Sequence, residues 1–333
     1  MTESEIRLSR RSALKASAAA GAAIALTRLD AFAAGISASV APGMPLVPGA
    51  PLARAVIERA IPSSGEKIPI IGMGTARNYE NPTPEQIPPL RDVLRKFPEL
   101  GGRLIDTAPA YGRAESVVGD LLAELKNRDK YFIATKVSVR GGGTRETAVA
   151  SLAESMKRLH TDRIDLMQVW NMSATDMLMP LLDEWKAAKQ IRYTGVTTSN
   201  DSQYPALEAL MKARKFDFIQ VDLAIDNRGS QERLLPLAAE RGMGVLINLP
   251  FGRGRPFQRV LNKPLPGWAK DIDCTTWAQV FLKYILGNPA VTAVIPGTEK
   301  VEYLTDNIGA GTGRLPDAAM RKRIEQDFDA IAM

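Results

Sequence analysis

The chain has 333 residues, of which 45% are hydrophobic, 24% charged and 6% aromatic, with a formal net charge of +6. This composition is typical of a globular protein and excludes collagen-like, disulfide-rich and bulk-disordered chains. The lone cysteine and lone histidine, Cys274 and His160, argue against a disulfide framework, a Ser-His site or a metal site, and the dispersed charge predicts no nucleic-acid partner.

The first segment has the three parts of an export signal. Residues 9–15 include two adjacent arginines, residues 16–27 are uncharged and rich in alanine, and residues 31–33 read Ala-Phe-Ala. A basic region, a short apolar region and a small-residue cleavage site are typical of a secretory signal. The paired arginines resemble a twin-arginine signal, although Ala13 stands where a phenylalanine is commoner. The alternative is an alanine-rich amphipathic helix.

We therefore predict a twin-arginine export signal over residues 1–33 and an exported, periplasmic protein. The apolar run is too short to span a bilayer, so no stable membrane span is expected after processing. Residues 34–50 are rich in Ala, Gly, Pro and Ser and predict a flexible lead-in. Residues 51–333 are expected to form one domain.

From residue 70 onward, short apolar runs alternate with amphipathic stretches. Strands are predicted over 70–75, 103–107, 131–137, 164–170, 193–199, 218–224, 245–250 and 293–296. Helices are predicted over 86–97, 114–126, 145–159, 176–189, 203–214, 231–241, 275–287, 302–308 and 316–331. Because parallel strands need helical crossovers, eight strand–helix units favour a parallel sheet.

Eight such units over residues 70–310 predict an α/β fold of the (β/α)8 TIM-barrel type, which usually has about 250 residues. Residues 56–69 predict an N-terminal β-hairpin that plugs the barrel bottom, with its turn at 63–65, and residues 316–331 a C-terminal helix. A doubly wound sheet is the alternative, but residues 72–75 lack the third glycine of its phosphate-binding fingerprint. In a TIM barrel the site lies at the C-terminal ends of the strands.

Three chemically active residues fall at those ends. Asp106 ends the second strand, and two-residue alternation puts Lys136 on the same face of the third strand as Ala134. A carboxylate and an ammonium on an inward face are costly unless they are paired, so we expect them to pair. Tyr111 follows Asp106 by five residues, and a nearby ammonium lowers the pKa of a phenol. The alternatives are a purely structural ion pair and a half-buried aromatic at the rim.

Several runs occur in a fixed order: Gly72-Met73-Gly74-Thr75, Leu104 to Gly112, Glu115, Thr135-Lys136, Asp165 and Ile295-Pro296-Gly297-Thr298. In order and spacing they resemble the aldo-keto reductase family over roughly residues 66–310. The resemblance implies a barrel that reduces carbonyls with a nicotinamide cofactor and an Asp-Tyr-Lys-His tetrad. It makes Tyr111 the general acid, Lys136 the group that lowers its pKa, and Asp106 the group that holds Lys136 charged and in place.

The family histidine has no counterpart here. The matching position at the end of the fourth strand is Trp170, and His160 precedes that strand. An indole N–H can donate one hydrogen bond but cannot accept or carry a proton. Potassium-channel β subunits also lack the histidine and carry asparagine there, and here Asn171 is one residue off. We therefore expect the proton donor to be retained, with the rate and the substrate range changed.

By the same resemblance, Gln220 is matched to the residue that binds the nicotinamide carboxamide. The usual Ser-Asn becomes Thr197-Thr198, and Asn248 stands where many members have a stacking aromatic. The implied cofactor-binding positions are Gly74, Thr75, Asp106, Thr197, Thr198, Gln220, Pro250, Phe251, Gly252, Gly254, Pro296, Gly297, Thr298, Lys300, Asp306 and Asn307.

The last predicted strand leads into a helix near Val301, and a helix N-terminus binds anions. Thr298 and Lys300 could therefore hold the 2′-phosphate of NADP, although the arginine used by many members matches Tyr303. The alternative for Lys300 is a solvated lysine. NADP is favoured modestly, with NAD as the alternative.

The residues considered for the substrate mouth are Trp170, Met172, Phe251 and Trp268, against an alternative of ordinary loop packing. The expected protein is a monomeric oxidoreductase that reduces a small aldehyde or ketone. A nicotinamide-binding barrel with little turnover, acting as a redox sensor or partner subunit, is the first alternative. A phosphate-binding barrel isomerase or lyase is the second.

Overall fold

A computed structural model describes residues 54–139 and 143–331. The predicted export signal over 1–33 and the lead-in over 34–50 lie outside the described residues, so both stay predictions.

The described chain opens with the predicted hairpin. Strands β1 (Glu58–Ala60) and β2 (Lys67–Pro69) pair antiparallel. The amide N–H of Gly65 donates to the Ile61 carbonyl at 2.8 Å, and Gly65 has φ +76°, a backbone conformation that favours glycine. The guanidinium of Arg59 donates to carbonyls near the far end of the chain, those of Leu286, Asn288 and Val291.

Eight parallel strands follow and pair in chain order: Met73–Gly74 (β3), Leu104–Asp106 (β4), Phe132–Val137 (β5), Ile164–Val169 (β6), Ile191–Thr197 (β7), Phe218–Asp222 (β8), Gly244–Asn248 (β9) and Ala293–Val294 (β10). Parallel bridges from Ile71 to Val294 and from Gly74 to Gly297 join the first barrel strand to the last. The eight strands therefore form a nearly closed (β/α)8 barrel, as the sequence predicts.

Helices occupy the predicted intervals: Ile87–Glu99 (α1), Ala114–Leu125 (α2), Arg145–Arg158 (α3), Thr175–Ala187 (α4), Tyr204–Ala213 (α5), Ser230–Glu240 (α6), Arg255–Arg259 (α7), Trp277–Leu286 (α8), Val301–Ala310 (α9) and Ala318–Asp329 (α10). Only α7 was not predicted, because five residues are too few to show helical periodicity. The starts of α8 and α10 are capped by Thr276 and Asp317, whose side chains accept the amide N–H groups of Gln279 and Met320.

Two apolar cores follow from strand alternation. Outward-facing strand residues pack against the helices, and inward-facing residues fill the barrel. The inner core contains Ile61, Ile68, Leu104, Phe132, Ala134, Leu166, Tyr193, Phe218, Leu246, Ala293 and Ile295. Because Ile61 and Ile68 come from the hairpin segment, that segment closes the barrel floor.

No helix within the described ranges is long and apolar enough to cross a membrane.

Candidate active site

The structure brings together the two charged residues that alternation places on the inward face. Asp106 ends β4 and Lys136 lies near the end of β5, the neighbouring strand, and they are 3% and 2% exposed. The Lys136 Nζ atom donates to Asp106 Oδ2 at 2.7 Å and to the Thr107 carbonyl at 2.8 Å. The pair therefore supplies its own charge compensation and hydrogen bonds inside the barrel.

Tyr111 lies over this pair. It sits in the loop between β4 and α2, where its amide N–H donates to the Ala108 carbonyl at 3.0 Å. The Lys136 ammonium is 5.0 Å from the centre of the Tyr111 ring, a cation–π distance. The three residues expected to act together thus lie at the C-terminal end of the strands, with Lys136 in contact with both Asp106 and Tyr111.

The electrostatics correct one expectation. Burial raises the pKa of Tyr111, Lys136 lowers it and Asp106 raises it, and the net pKa lies above the ordinary value of a tyrosine. The predicted lowering by Lys136 is present, but burial outweighs it. For Lys136, burial lowers the pKa, while Asp106 and Tyr111 raise it, and the net shift is upward. Lys136 is therefore charged at neutral pH.

Trp170 stands beside the phenol. It directly follows β6, and its ring meets that of Tyr111 edge-on, with centroids 6.4 Å apart and an interplanar angle of 85°. The large indole therefore packs against one side of the Tyr111 ring.

The loop after Trp170 has an unusual backbone. Asn171, Met172 and Ala174 have φ of 51°, 56° and 49°, in a left-handed region that non-glycine residues rarely adopt. Two hydrogen bonds hold this loop. Gln203 Nε2 donates to the Asn171 carbonyl at 3.2 Å, and Ser173 Oγ donates to the Val139 carbonyl. Strained backbone that the surroundings hold in place is frequent at ligand sites.

Two supporting residues had not been singled out as site residues. Gln168, fully buried on the same inward face as Trp170, donates from Nε2 to Asp106 Oδ1 at 3.4 Å. Glu115, in the first turn of α2, accepts hydrogen bonds from Thr135 Oγ1 at 2.6 Å and Arg158 Nε at 2.8 Å. Glu115 therefore ties the helix after Tyr111 to the strand that carries Lys136. The alternation that identified Lys136 could have identified Gln168.

Strands β8 and β9 each carry an unsatisfied side-chain acceptor. Gln220 Oε1 and Asn248 Oδ1 are buried without a hydrogen-bond partner within the described part of the chain. A buried acceptor without a donor is costly, and a ligand amide could satisfy it. Thr197 is 2% exposed. The fully buried Thr198 uses its one hydroxyl proton on Gln203 Oε1, at 2.5 Å.

The loop after β9 makes consecutive left-handed turns. Gly252, Arg253 and Gly254 have φ of 51°, 59° and 92°, and a Cβ at Gly252 would lie 2.5 Å from Asp226 Oδ1. The amide N–H groups of Gly252 and Gly254 donate to the Leu249 and Phe251 carbonyls, at 2.9 and 2.7 Å, so these turns are closed within the loop. Gly252 and Arg253 line a cavity of about 140 Å³.

The first and last barrel strands meet closely beside this end of the barrel. A Cβ at Gly74 would lie 3.0 Å from the Ile295 carbonyl oxygen, and Thr75 Oγ1 donates to the Asp106 carbonyl at 3.0 Å. Pro296 is buried, and Gly297 makes the bridge that completes the barrel. Through its hydrogen bond to the Asp106 carbonyl, Thr75 fixes the end of β4 that carries Asp106.

Some of the residues predicted to bind the phosphate end of the cofactor lie together near the start of α9. Asn307 Nδ2 donates to Thr298 Oγ1 at 3.2 Å, and the Lys300 ammonium lies 5.6 Å from the Tyr303 ring centre. Asp306 is held instead by residues at the start of α8, Thr276 and Gln279. Burial raises the pKa of Asp306 to about 6.

The residues predicted to line the substrate entrance do not lie together in the structure. Trp268 is 4% exposed and donates from Nε1 to Asp327 Oδ2 at 2.6 Å, which ties it to α10. The Phe251 ring packs against Phe257 with centres 5.1 Å apart and an interplanar angle of 52°, and Pro250 before it is buried. The Trp170 ring contacts Tyr111, and Met172 lies in the strained loop that follows Trp170.

A metal centre finds no support in the described residues, which contain no group of three His, Cys, Asp or Glu able to hold an ion. His160 Nε2 lies 2.8 Å from Asp120 Oδ1 on the surface.

Comparison with known proteins agrees with this geometry. The family model described as "Aldo/keto reductase family" matches residues 70–326. An uncharacterized oxidoreductase of Bacillus subtilis, YqkF, is 28% identical over 259 residues, covering 67% of this chain and 82% of that protein. The aldo-keto reductase str7 of Strobilurus tenacellus is 25% identical over 270 residues, covering 70% and 80%.

Solved structures share the fold. An aldo-keto reductase from Klebsiella pneumoniae in complex with NADPH superposes with a TM-score of 0.69 at 21% identity, covering 83% of this chain and 95% of that one. Another from the same organism, in complex with NADP and acetate, gives 0.67 at 23% identity, covering 79% and 93%. With its family model spanning most of the sequence and its charged pair beneath a tyrosine at the barrel mouth, this chain belongs to the aldo/keto reductase family.

Proposed function

We propose that this protein is an NADPH-dependent reductase that converts a small aldehyde or ketone to the alcohol. The observation that carries the proposal is the contact of Tyr111 with the buried Lys136–Asp106 pair. A phenol held against a fixed ammonium can give its proton to a carbonyl oxygen, because the charge left on the phenol is stabilised where it forms.

The residues divide the work. A reduced nicotinamide, when bound, would supply the hydride for the carbonyl carbon, and Tyr111 gives the proton to the carbonyl oxygen, so that the product is the alcohol. Lys136 stabilises the phenolate that remains, and Asp106 keeps Lys136 charged and oriented. Because the raised pKa of Tyr111 keeps the phenol protonated at neutral pH, the group is in the form that reduction requires.

Trp170 takes the position of the family histidine. Its indole N–H can donate to the substrate oxygen but cannot exchange a proton with it. The edge-on contact with Tyr111 supports a narrow approach to the acid, with Met172 on the same loop. We therefore assign Trp170 to orienting the carbonyl and restricting the substrate.

The donor and acceptor groups fit a nicotinamide dinucleotide. The unsatisfied acceptors Gln220 Oε1 and Asn248 Oδ1 match the N–H groups of a carboxamide. The Arg253 side chain, a cation lining the cavity after β9, suits a pyrophosphate, and Thr298 and Lys300, next to the start of α9, suit a 2′-phosphate. The NADP and NADPH complexes of structural neighbours also support NADP over NAD.

We further propose that the protein is exported through a twin-arginine signal in residues 1–33 and acts as a periplasmic monomer. The adjacent arginines, the short apolar run and the Ala-Phe-Ala site support this proposal. Fractionation of cells expressing the full chain, with and without the two arginines replaced by lysine, tests it. Periplasmic recovery unaffected by that replacement would contradict it.

The test of the activity is reduction of a carbonyl panel by purified protein, followed as loss of NADPH absorbance. We expect Tyr111→Phe to lower kcat by at least a hundredfold while leaving NADPH binding intact. Tyr131→Phe is the matched control, because it removes a buried hydroxyl that donates to the Leu94 carbonyl outside the site. Equal activity of wild type and Tyr111→Phe would refute the assignment.

A nicotinamide-binding protein with little turnover is the second candidate. Trp170 in place of the family histidine and Asn248 in place of the stacking aromatic favour it. Tight NADPH binding without steady-state reduction would support this candidate. Trp170→His separates the two, since a large gain in rate would show that the remaining groups are competent.

A further inference from the structure

The buried carboxamide of Gln168 lies directly against the charged pair. Gln168 is fully buried on β6, where it is the strand neighbour of Lys136, and its Nε2 is 3.4 Å from Asp106 Oδ1. The other carboxylate oxygen, Oδ2, receives Lys136 Nζ at 2.7 Å. Each oxygen of Asp106 therefore has its own donor, and together the two donors fix the plane of the carboxylate.

The orientation of the carboxamide follows from its neighbour. An ionised carboxylate only accepts hydrogen bonds, so the nitrogen and not the oxygen of Gln168 must face Asp106. Gln168 Oε1 consequently points elsewhere, and it is buried without a partner among the described residues. A purely packing position would be filled better by leucine, which carries no unsatisfied acceptor.

The neighbouring strand β7 leaves room for this side chain. On β7 the residue in register with Gln168 is Gly195, and a Cβ at Gly195 would lie 3.0 Å from Gln168 Cγ and 3.0 Å from the Phe218 carbonyl oxygen. Both distances are tighter than ordinary contact. The absence of a side chain at residue 195 therefore provides the space that Gln168 occupies.

We propose that Gln168 is a positioning residue that orients Asp106 and, through it, Lys136. This inference rests on the proposed reductase function of the same site. With Gln168 removed, the Asp106 carboxylate loses the donor to Oδ1 and is free to rotate, so Lys136 is held less firmly beneath Tyr111. The consequence falls on proton transfer rather than on binding of the carbonyl.

The test compares Gln168→Leu, which removes the donor at similar size, with Gln168→Asn, which keeps the carboxamide but shortens its reach. Leu166→Met is the matched control, because Leu166 is also fully buried and inward-facing on β6, in the apolar layer below. Near-UV circular dichroism confirms that each variant is folded. We expect both Gln168 variants to lower kcat about tenfold with KM within twofold of wild type, and to move the alkaline limb of the pH–rate profile. Leu166→Met should change neither.

Crystal structures of Gln168→Leu and Leu166→Met give a readout that needs no turnover. We expect a rotated Asp106 carboxylate or a lengthened contact from Lys136 Nζ to Asp106 Oδ2 only in the first. Wild-type kcat and pH profile in both Gln168 variants, or an unmoved Asp106, would overturn the assignment of Gln168. Inactive wild-type protein would instead refute the reductase proposal, and the crystal structures would still decide the role of Gln168.

Discussion

Removing Lys136 should leave a buried charge without its partner. At 2.7 Å, and with an effective dielectric constant of about 20, the attraction between Lys136 and Asp106 is on the order of 6 kcal/mol. Desolvation of both groups offsets most of this attraction. We therefore expect Lys136→Met to lower the free energy of unfolding by about 3–5 kcal/mol, because the Asp106 carboxylate is left buried and unpaired.

The double variant Asp106→Leu/Lys136→Met removes both charges, and we expect it to lie within about 1 kcal/mol of wild type. The assay is urea unfolding at pH 7, with wild type, Asp106→Leu, Lys136→Met and the double variant forming a double-mutant cycle. Lys96→Met is the matched control: its pair with Glu99 is equally short, at 2.9 Å, but both side chains are about half exposed, so the cost should be below about 0.5 kcal/mol. If Lys136→Met costs no more than this control, the buried pair is not the electrostatic unit described here.

Three further outcomes are expected. The pKa of Asp306 is about 6 in the folded protein, above its value in the unfolded chain, so this group makes the folded state less stable as pH rises from about 4 to 6. In urea unfolding, the stability of Asp306→Asn relative to wild type should therefore increase by about 2 kcal/mol over that pH range. A stability difference between the two proteins that does not change with pH would refute this. Gln203→Leu should raise KM for the carbonyl severalfold, because it releases the Asn171 carbonyl and loosens the strained loop; an unchanged KM in steady-state kinetics would count against this. Glu115→Gln should lower the free energy of unfolding by about 2 kcal/mol, since Arg158 loses a buried counter-charge, and a loss below about 0.5 kcal/mol in urea would contradict it.

Periodicity was sufficient to predict the hairpin, the eight barrel strands and all but one of the helices. It overestimated the first and last strands, predicted over 70–75 and 293–296 but observed as Met73–Gly74 and Ala293–Val294. Those two strands meet where the barrel closes, and they do so through isolated bridges rather than a continuous ladder. The length of a ladder depends on its partner, which local sequence does not specify.

The site was predicted as far as local geometry allows. Alternation places Asp106 and Lys136 on neighbouring inward faces, and the structure joins them. The direction of the Tyr111 pKa was predicted wrongly, because depth of burial is a property of the whole fold. Lys283 was missed for a similar reason: it is fully buried, and its ammonium donates to the carbonyls of Ile272, Thr312 and Arg314. Those acceptors are loop carbonyls brought together by tertiary structure.

The hairpin at the start of the described chain has a consequence for the order of folding. Ile61 and Ile68 complete the barrel interior. The Arg59 guanidinium donates hydrogen bonds to the carbonyls of Leu286, Asn288 and Val291. These contacts join positions more than two hundred residues apart, so a ribosome must make almost the whole polypeptide before they can form. The hairpin, which is synthesised first, can therefore dock only after the segment around residues 286–291 has been synthesised. The barrel should then complete its folding in one late, cooperative step rather than strand by strand.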